Sequence, residues 1–261
     1  MPSISHFKIY QPAEPCSLTG ENLRQTMDKI VSERLSPNGR EFDLKGYCVG
    51  YNGMTIFSQH ESLSNLKRLN LGGNRIGDEG VKLLCDAKAL SGLRVLSLAG
   101  NKLTNSAFRA LAKSRALVNL KRLFIQVNFL GPEGMGVLAQ SKSMASLEFL
   151  YLKQNPLGPD GAKALAGSYS FENIKELYLG RTQLGNDGLS SLCGGKSWPN
   201  LTALSLAQNS LDNMAAEMLA RTRLFPKLVT LDLYGNPIGD DAVVAIKNSP
   251  HLKYLRALQI N

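Results

Sequence analysis

From about residue 39 onward the apolar positions of this chain recur on a fixed step. Leu66, Leu69, Leu71, Asn74 and Ile76 return 27 residues later as Leu93, Leu96, Leu98, Asn101 and Leu103. The same step lands on Leu120, Leu123, Ile125, Asn128 and Leu130, then on Leu147, Leu150, Leu152, Asn155 and Leu157. It continues through Ile174, Leu177, Leu179, Thr182 and Leu184, through Leu201, Leu204, Leu206, Asn209 and Leu211, and through Leu228, Leu231, Leu233, Asn236 and Ile238. Seven units follow one another without insertion or deletion; a degenerate unit precedes them (Phe42, Leu44, Tyr47), and Leu255, Leu258 and Ile260 begin another. Such periodicity marks stacked supersecondary units that share one core.

Each position has a physical reading. Two leucines separated by one residue point to the same side of a short strand, and the residue between them faces outward. The Asn that follows can bond backbone groups where the chain leaves the strand, so stacked units predict a ladder of amides, broken at Thr182 and Tyr47. Gly77, Gly131, Gly158, Gly185 and Gly239 stand where a turn calls for an unusual φ. Acidic residues (Asp78, Glu79, Glu133, Asp160, Asp187, Asp240, Asp241) then mark helix N-termini, which favour negative charge, and this recurrence argues against reading them as catalytic pairs. A small-residue column (Gly80, Ala107, Gly134, Gly161, Gly188, Ala215, Ala242) and a column four residues on (Leu84 to Ile246) form one buried helical face. A third column, Leu63 to Leu252, contains the single Trp198, which is therefore expected in the core.

The order strand, Asn-turn, helix on this spacing resembles the leucine-rich repeat, in its ribonuclease-inhibitor-like form. The resemblance implies an α/β leucine-rich-repeat solenoid: a right-handed β-α superhelix curved into a horseshoe, with a concave parallel sheet and convex helices. Residues 39–261 would be the repeat domain, eight units of 27 residues plus a terminal strand. Residues 1–38 would be a capping segment with a helix over about 19–35, N-capped by Thr19, whose Ile30 falls one step before Phe57. An extra edge strand near Phe7 and Ile9 is an open alternative. At the other end, either the last strand is itself the cap or the sequence stops short of one. The uniform unit length and small-residue helices such as Gly161–Ala166 look more like bacterial than vertebrate members.

In this arrangement the outward column between the paired leucines reads Asp43, Asn70, Ser97, Phe124, Tyr151, Tyr178, Ser205, Asp232 and Gln259. Phe124, Tyr151 and Tyr178, with Phe149 beside them and Tyr234 in a following column, would form an aromatic patch of the kind that anchors interfaces. Simple stacking of neighbours across a parallel sheet is the competing reading, and the two can coexist. Arg122, Lys153, Glu176 and Arg181 would form the polar rim. At the strand entry Arg40, Lys67, Arg94, Lys121, Lys175 and Arg256 share a column, interrupted by Glu148, Thr202 and Val229. That column reads equally as a docking strip or as a solvated edge.

Composition narrows the picture further. A net charge of +9 favours an acidic partner. No apolar run reaches signal-peptide or membrane-spanning length, so the expectation is a soluble, cytoplasmic chain, with secretion by another route left open. Cys16, Cys48, Cys85 and Cys193 lack disulfide-framework or zinc-ligand spacing and are expected to be free thiols. The column of Cys85 and Cys193 is otherwise alanine, a packing position, and His6, His60 and His251 form no constellation with them. These features predict a monomeric, non-catalytic scaffold that binds a protein on its concave face, without metal, cofactor, membrane or small-molecule substrate. The alternatives are a regulator of a GTPase or ubiquitin pathway, nucleic-acid binding by basic side chains around the aromatics, and a site on the convex helices.

Overall fold

The computed structural model describes residues 14–260; the edge strand suggested near Phe7 and Ile9 lies outside them. Among the described residues nine three-residue strands follow the repeat: β1 Glu41–Asp43, β2 Arg68–Asn70, β3 Val95–Ser97, β4 Arg122–Phe124, β5 Phe149–Tyr151, β6 Glu176–Tyr178, β7 Ala203–Ser205, β8 Thr230–Asp232 and β9 Ala257–Gln259. They form one parallel sheet in chain order, and every neighbouring pair is in the register of the sequence repeat, as in Phe124↔Tyr151 and Tyr151↔Tyr178. Helices alternate with them: α1 Gly20–Arg34, α2 Gly50–Phe57, α3 Gly77–Asp86, α4 Asn105–Lys113, α5 Pro132–Ala139, α6 Gly158–Ala166, α7 Gly185–Gly194, α8 Asn213–Arg221 and α9 Asp240–Lys247. Strands pair about 4.8 Å apart while packed helices need about 8–10 Å, so the stack bends with the sheet inside.

The leucine columns form one continuous buried core from Leu23 to Leu252, which includes the Trp198 column. Helix α1 adds Leu23, Met27, Ile30 and Val31, all buried, to the first end of the same core. Close helix packing explains the small-residue column: a Cβ on Gly188 would stand 3.2 Å from the Ala162 Cβ and 3.3 Å from the Pro159 Cα.

The asparagine ladder is present and does two jobs. Asn101 Nδ2 donates to Leu71 O (2.8 Å) in the preceding unit, while its Oδ1 accepts from the N–H groups of Asn74 (3.0 Å) and Ile76 (3.3 Å). Asn74, Asn128, Asn155, Asn209 and Asn236 each donate backward in the same way. Thr182 breaks the chain as expected. Its hydroxyl is too short to reach Leu152 O and instead lies 2.5 Å from Leu179 O within its own unit.

Two expectations are corrected. Gly77, Gly158 and Gly185 do take the left-handed φ near +60°, but Gly131 (φ −100°) and Gly239 (φ −86°) are extended. The reason lies one unit back, where Asn105 and Asn213 accept the N–H of Gly131 (2.9 Å) and Gly239 (2.7 Å) through their side chains. At Gly158 and Gly185 the N–H bonds forward to the next unit's backbone carbonyl, which requires the left-handed turn. The second correction concerns the thiols: Cys16 and Cys48 are joined in a disulfide, with Cα atoms 5.5 Å apart, while Cys85 and Cys193 are free. A separation of 32 residues hid the pairing, which only the docking of the segment before α1 onto the turn before α2 brings together.

Two outcomes test this framework. Replacing Asn101 by Ala strands buried partners in two units and should cost about 3 kcal/mol in urea unfolding, whereas Thr182→Asn, which supplies the missing donor, should gain about 1 kcal/mol. Breaking the Cys16–Cys48 loop, by Cys16→Ala or by reductant on the wild type, should each lower stability by about 3 kcal/mol, with no additive loss when combined.

Candidate functional site

The concave face at β4, β5 and β6 gathers six of the nine residues singled out in the sequence. Parallel pairing places Phe124, Tyr151 and Tyr178 one strand apart, and their rings stack with centroids 4.3 Å apart and interplanar angles of 19° and 8°. The sheet's own spacing sets this distance, so the stack is a by-product of the register. Each ring is half-buried, chiefly by its neighbours, and presents an edge outward. Both Tyr151 and Tyr178 O–H groups donate to Glu176 Oε2 at 3.1 Å. Arg122 lies over Phe149, its guanidinium carbon 3.9 Å from the ring centroid. The result is a rigid apolar ridge pinned by a carboxylate on one side and a cation–π pair on the other.

Three predicted residues stand apart. Lys153 and Arg181 are exposed beyond the strand exits, and Arg181 Nε bonds Gln208 Oε1 at 2.5 Å, directed at the next unit. Tyr234 is exposed just after β8, two strands beyond the end of the stack.

The structure also exposes two apolar residues that the sequence reading passed over, Val127 (49%) and Phe129 (59%), on the turn after β4. Phe129 occupies a column that elsewhere holds Cys48, Arg75, Lys102, Pro156, Gln183, Ser210 and Pro237, and its large aromatic side chain among them was the available signal. Val127 has φ +59° in a column of glycines and long polar residues. A β-branched side chain rarely adopts that conformation. Beside them the Gln126 Oε1 is buried without a hydrogen-bond partner among the described residues.

Charges along the strand entries are arranged unevenly. Glu148 forms ion pairs with Lys121 and, at 2.7 Å, with Lys175. These two ammonium groups hold its carboxyl below the ordinary carboxylate range. Elsewhere, burial pushes the Cys85 thiol up to about 12 and the Cys193 thiol up to about 11, which fits packing and not nucleophilic chemistry. A hollow of about 600 Å³ lies on the concave face between Arg34, Arg68, Asn70, Ser97 and the free side of Phe124.

Comparison with known proteins agrees with this geometry. A family model described as leucine rich repeat matches residues 62–85, 143–166, 172–193 and 226–247. No curated protein matches the sequence. Among solved structures, an internalin from Listeria monocytogenes superposes with a TM-score of 0.53 at 23% identity, covering 78% of this chain and 49% of its own. The chain thus spans about half the length of that neighbour. Together with the nine-stranded register, these likenesses make the fold a leucine-rich-repeat solenoid. No helix among the described residues is long and apolar enough to cross a membrane.

The phenols supply a pH test. Burial first, and then the Glu176 charge, raise the ionisation of Tyr151 and Tyr178 above the ordinary value of 10. A group raised in the folded state contributes stability that is complete below pH 10 and is lost as pH climbs above it. Ultraviolet difference titration should therefore show two phenols ionising late, and thermal stability should decline above pH 10, less steeply in Tyr151→Phe.

Proposed function

We propose that this chain is a non-catalytic protein-binding scaffold that docks its partner on the concave sheet, around the edges of Phe124, Tyr151 and Tyr178. The observation that carries the reading is the stack itself: three rings at 4.3 Å, already immobilised by one another and by Glu176. Rings that lose no further freedom on binding make effective anchors. Phe149 under Arg122 extends the apolar area, Lys153, Arg181 and Tyr234 provide a polar and aromatic rim, and Val127 and Phe129 add an apolar margin at the strand exits. Leucine-rich repeats commonly serve such interactions, and the helix in each unit supports the ribonuclease-inhibitor-like subtype. We read residues 1–38 as the cap of this scaffold and the whole as a monomer.

The alternatives draw less support. Stacking of nucleic-acid bases needs open ring faces, and here the faces are closed against one another, leaving only the outer sides of Phe124 and Tyr178. Regulation of a GTPase or ubiquitin pathway has no specific residue in its favour. The Cys16–Cys48 bond is what a chain in an oxidising compartment retains, and it weighs against the cytoplasmic placement.

The double substitution Tyr151→Ala and Tyr178→Ala should weaken capture of the protein partner from source-cell lysate about 1,000-fold, at two anchors of about 2 kcal/mol each. Circular dichroism should stay unchanged, and Tyr169→Ala, an exposed ring elsewhere, should have no effect. Undiminished capture by a folded double variant would remove the assignment.

A further inference from the structure

The residues entering each strand are aligned by a run of backbone bonds: Lys67 N–H donates to Arg40 O, Arg94 to Lys67, Lys121 to Arg94, Glu148 to Lys121 and Lys175 to Glu148, all within 2.7–2.9 Å. One line of side chains thus runs across six units. Its two halves are neutralised differently. In the second, Glu148 sits between Lys121 and Lys175 and pairs with both. Its side chain is only 19% exposed, so one carboxylate bridges two cations that lie two strands apart.

In the first half the line holds three cations in succession. Arg40, Lys67 and Arg94 are exposed, and among the described residues none has an ion pair or a side-chain hydrogen bond. The adjacent acid, Glu41, is already taken by Arg68 at 3.3 Å. Strands about 4.8 Å apart anchor such side chains well inside the Debye length of about 8 Å, so like charges there are close enough to be served by shared carboxylates.

We propose that Arg40, Lys67 and Arg94 are the docking strip for an acidic segment of the protein partner, whose carboxylates take the bridging position that Glu148 takes between Lys121 and Lys175. The inference rests on the concave face being the docking surface and specifies the partner's chemistry. Carboxylates three or four residues apart on a helix are about 5–6 Å apart, close to the strand spacing, so one acidic helical edge can serve successive cations. A nucleic-acid backbone fits this stretch less well. The neighbouring outward residues are Asp43, Asn70 and Ser97, which offer no ring for a base and place a carboxylate beside the phosphates.

The test uses the full chain and a fluorescein-labelled oligoglutamate peptide followed by fluorescence anisotropy. Wild type should bind, and Arg40→Glu/Lys67→Glu/Arg94→Glu should lose at least about tenfold in affinity with an unchanged melting curve. A control reversal of three cations away from this line, Lys163→Glu/Arg223→Glu/Lys247→Glu, removes the same charge and should lose less than about threefold. No peptide binding, equal loss in both triple variants, or tighter strip-dependent binding of oligodeoxythymidylate than of the peptide would each overturn the proposal. Tyr151→Ala/Tyr178→Ala should still bind the peptide. Partner capture that survives that double variant defeats the docking reading, whereas peptide binding indifferent to the strip defeats only the present one.

Discussion

The buried asparagine amide is the interaction on which this structure turns. It sits, buried, where the chain leaves six of the nine strands, beside carbonyls and N–H groups of the bend that are turned away from solvent. One side chain bonds backward to the preceding unit and accepts from that unit's turn, so the bend of one repeat cannot form fully without its neighbour. Leucine burial supplies most of the driving force, but burial is indifferent to small slips. The directional amide bonds hold the units at one register, and everything on the sheet surface inherits that alignment.

Two surface features follow from the shared register. Any residue type repeated on the 27-residue step is brought within one strand spacing of its copies. For rings this gives the Phe124, Tyr151 and Tyr178 stack; for charges it gives lines that must be neutralised from within, as Glu148 does, or left open. A mixed salt-bridged edge and a homogeneous cationic edge therefore coexist on one rim, and the difference between them comes from a single acidic substitution in the repeat.

The leucine, asparagine and helix-face columns were fully legible in the sequence because each is a local pattern repeated many times. So were the aromatic and basic columns. What was not legible depended on relations the period does not encode. The Cys16–Cys48 pair joins the segment before α1 to the first turn and has no counterpart in other units. The extended φ at Gly131 and Gly239 is set by an asparagine side chain in the preceding unit, and glycine is compatible with either conformation. The shared grip of two phenols on Glu176 needed side-chain geometry, and Tyr234 sits too far along the arc to join the ridge that its aromatic character suggested.

Thr182 has a consequence for mechanics. Its missing backward bond falls between the unit of β5 and the unit of β6, and that same junction is crossed by the Tyr151–Tyr178 stack, by the Tyr151 hydroxyl bound to Glu176 and by the Lys175–Glu148 pair. The two units are thus tied together on the hollow side where an amide inside is missing, and a body seated on that face touches the very side chains that join them.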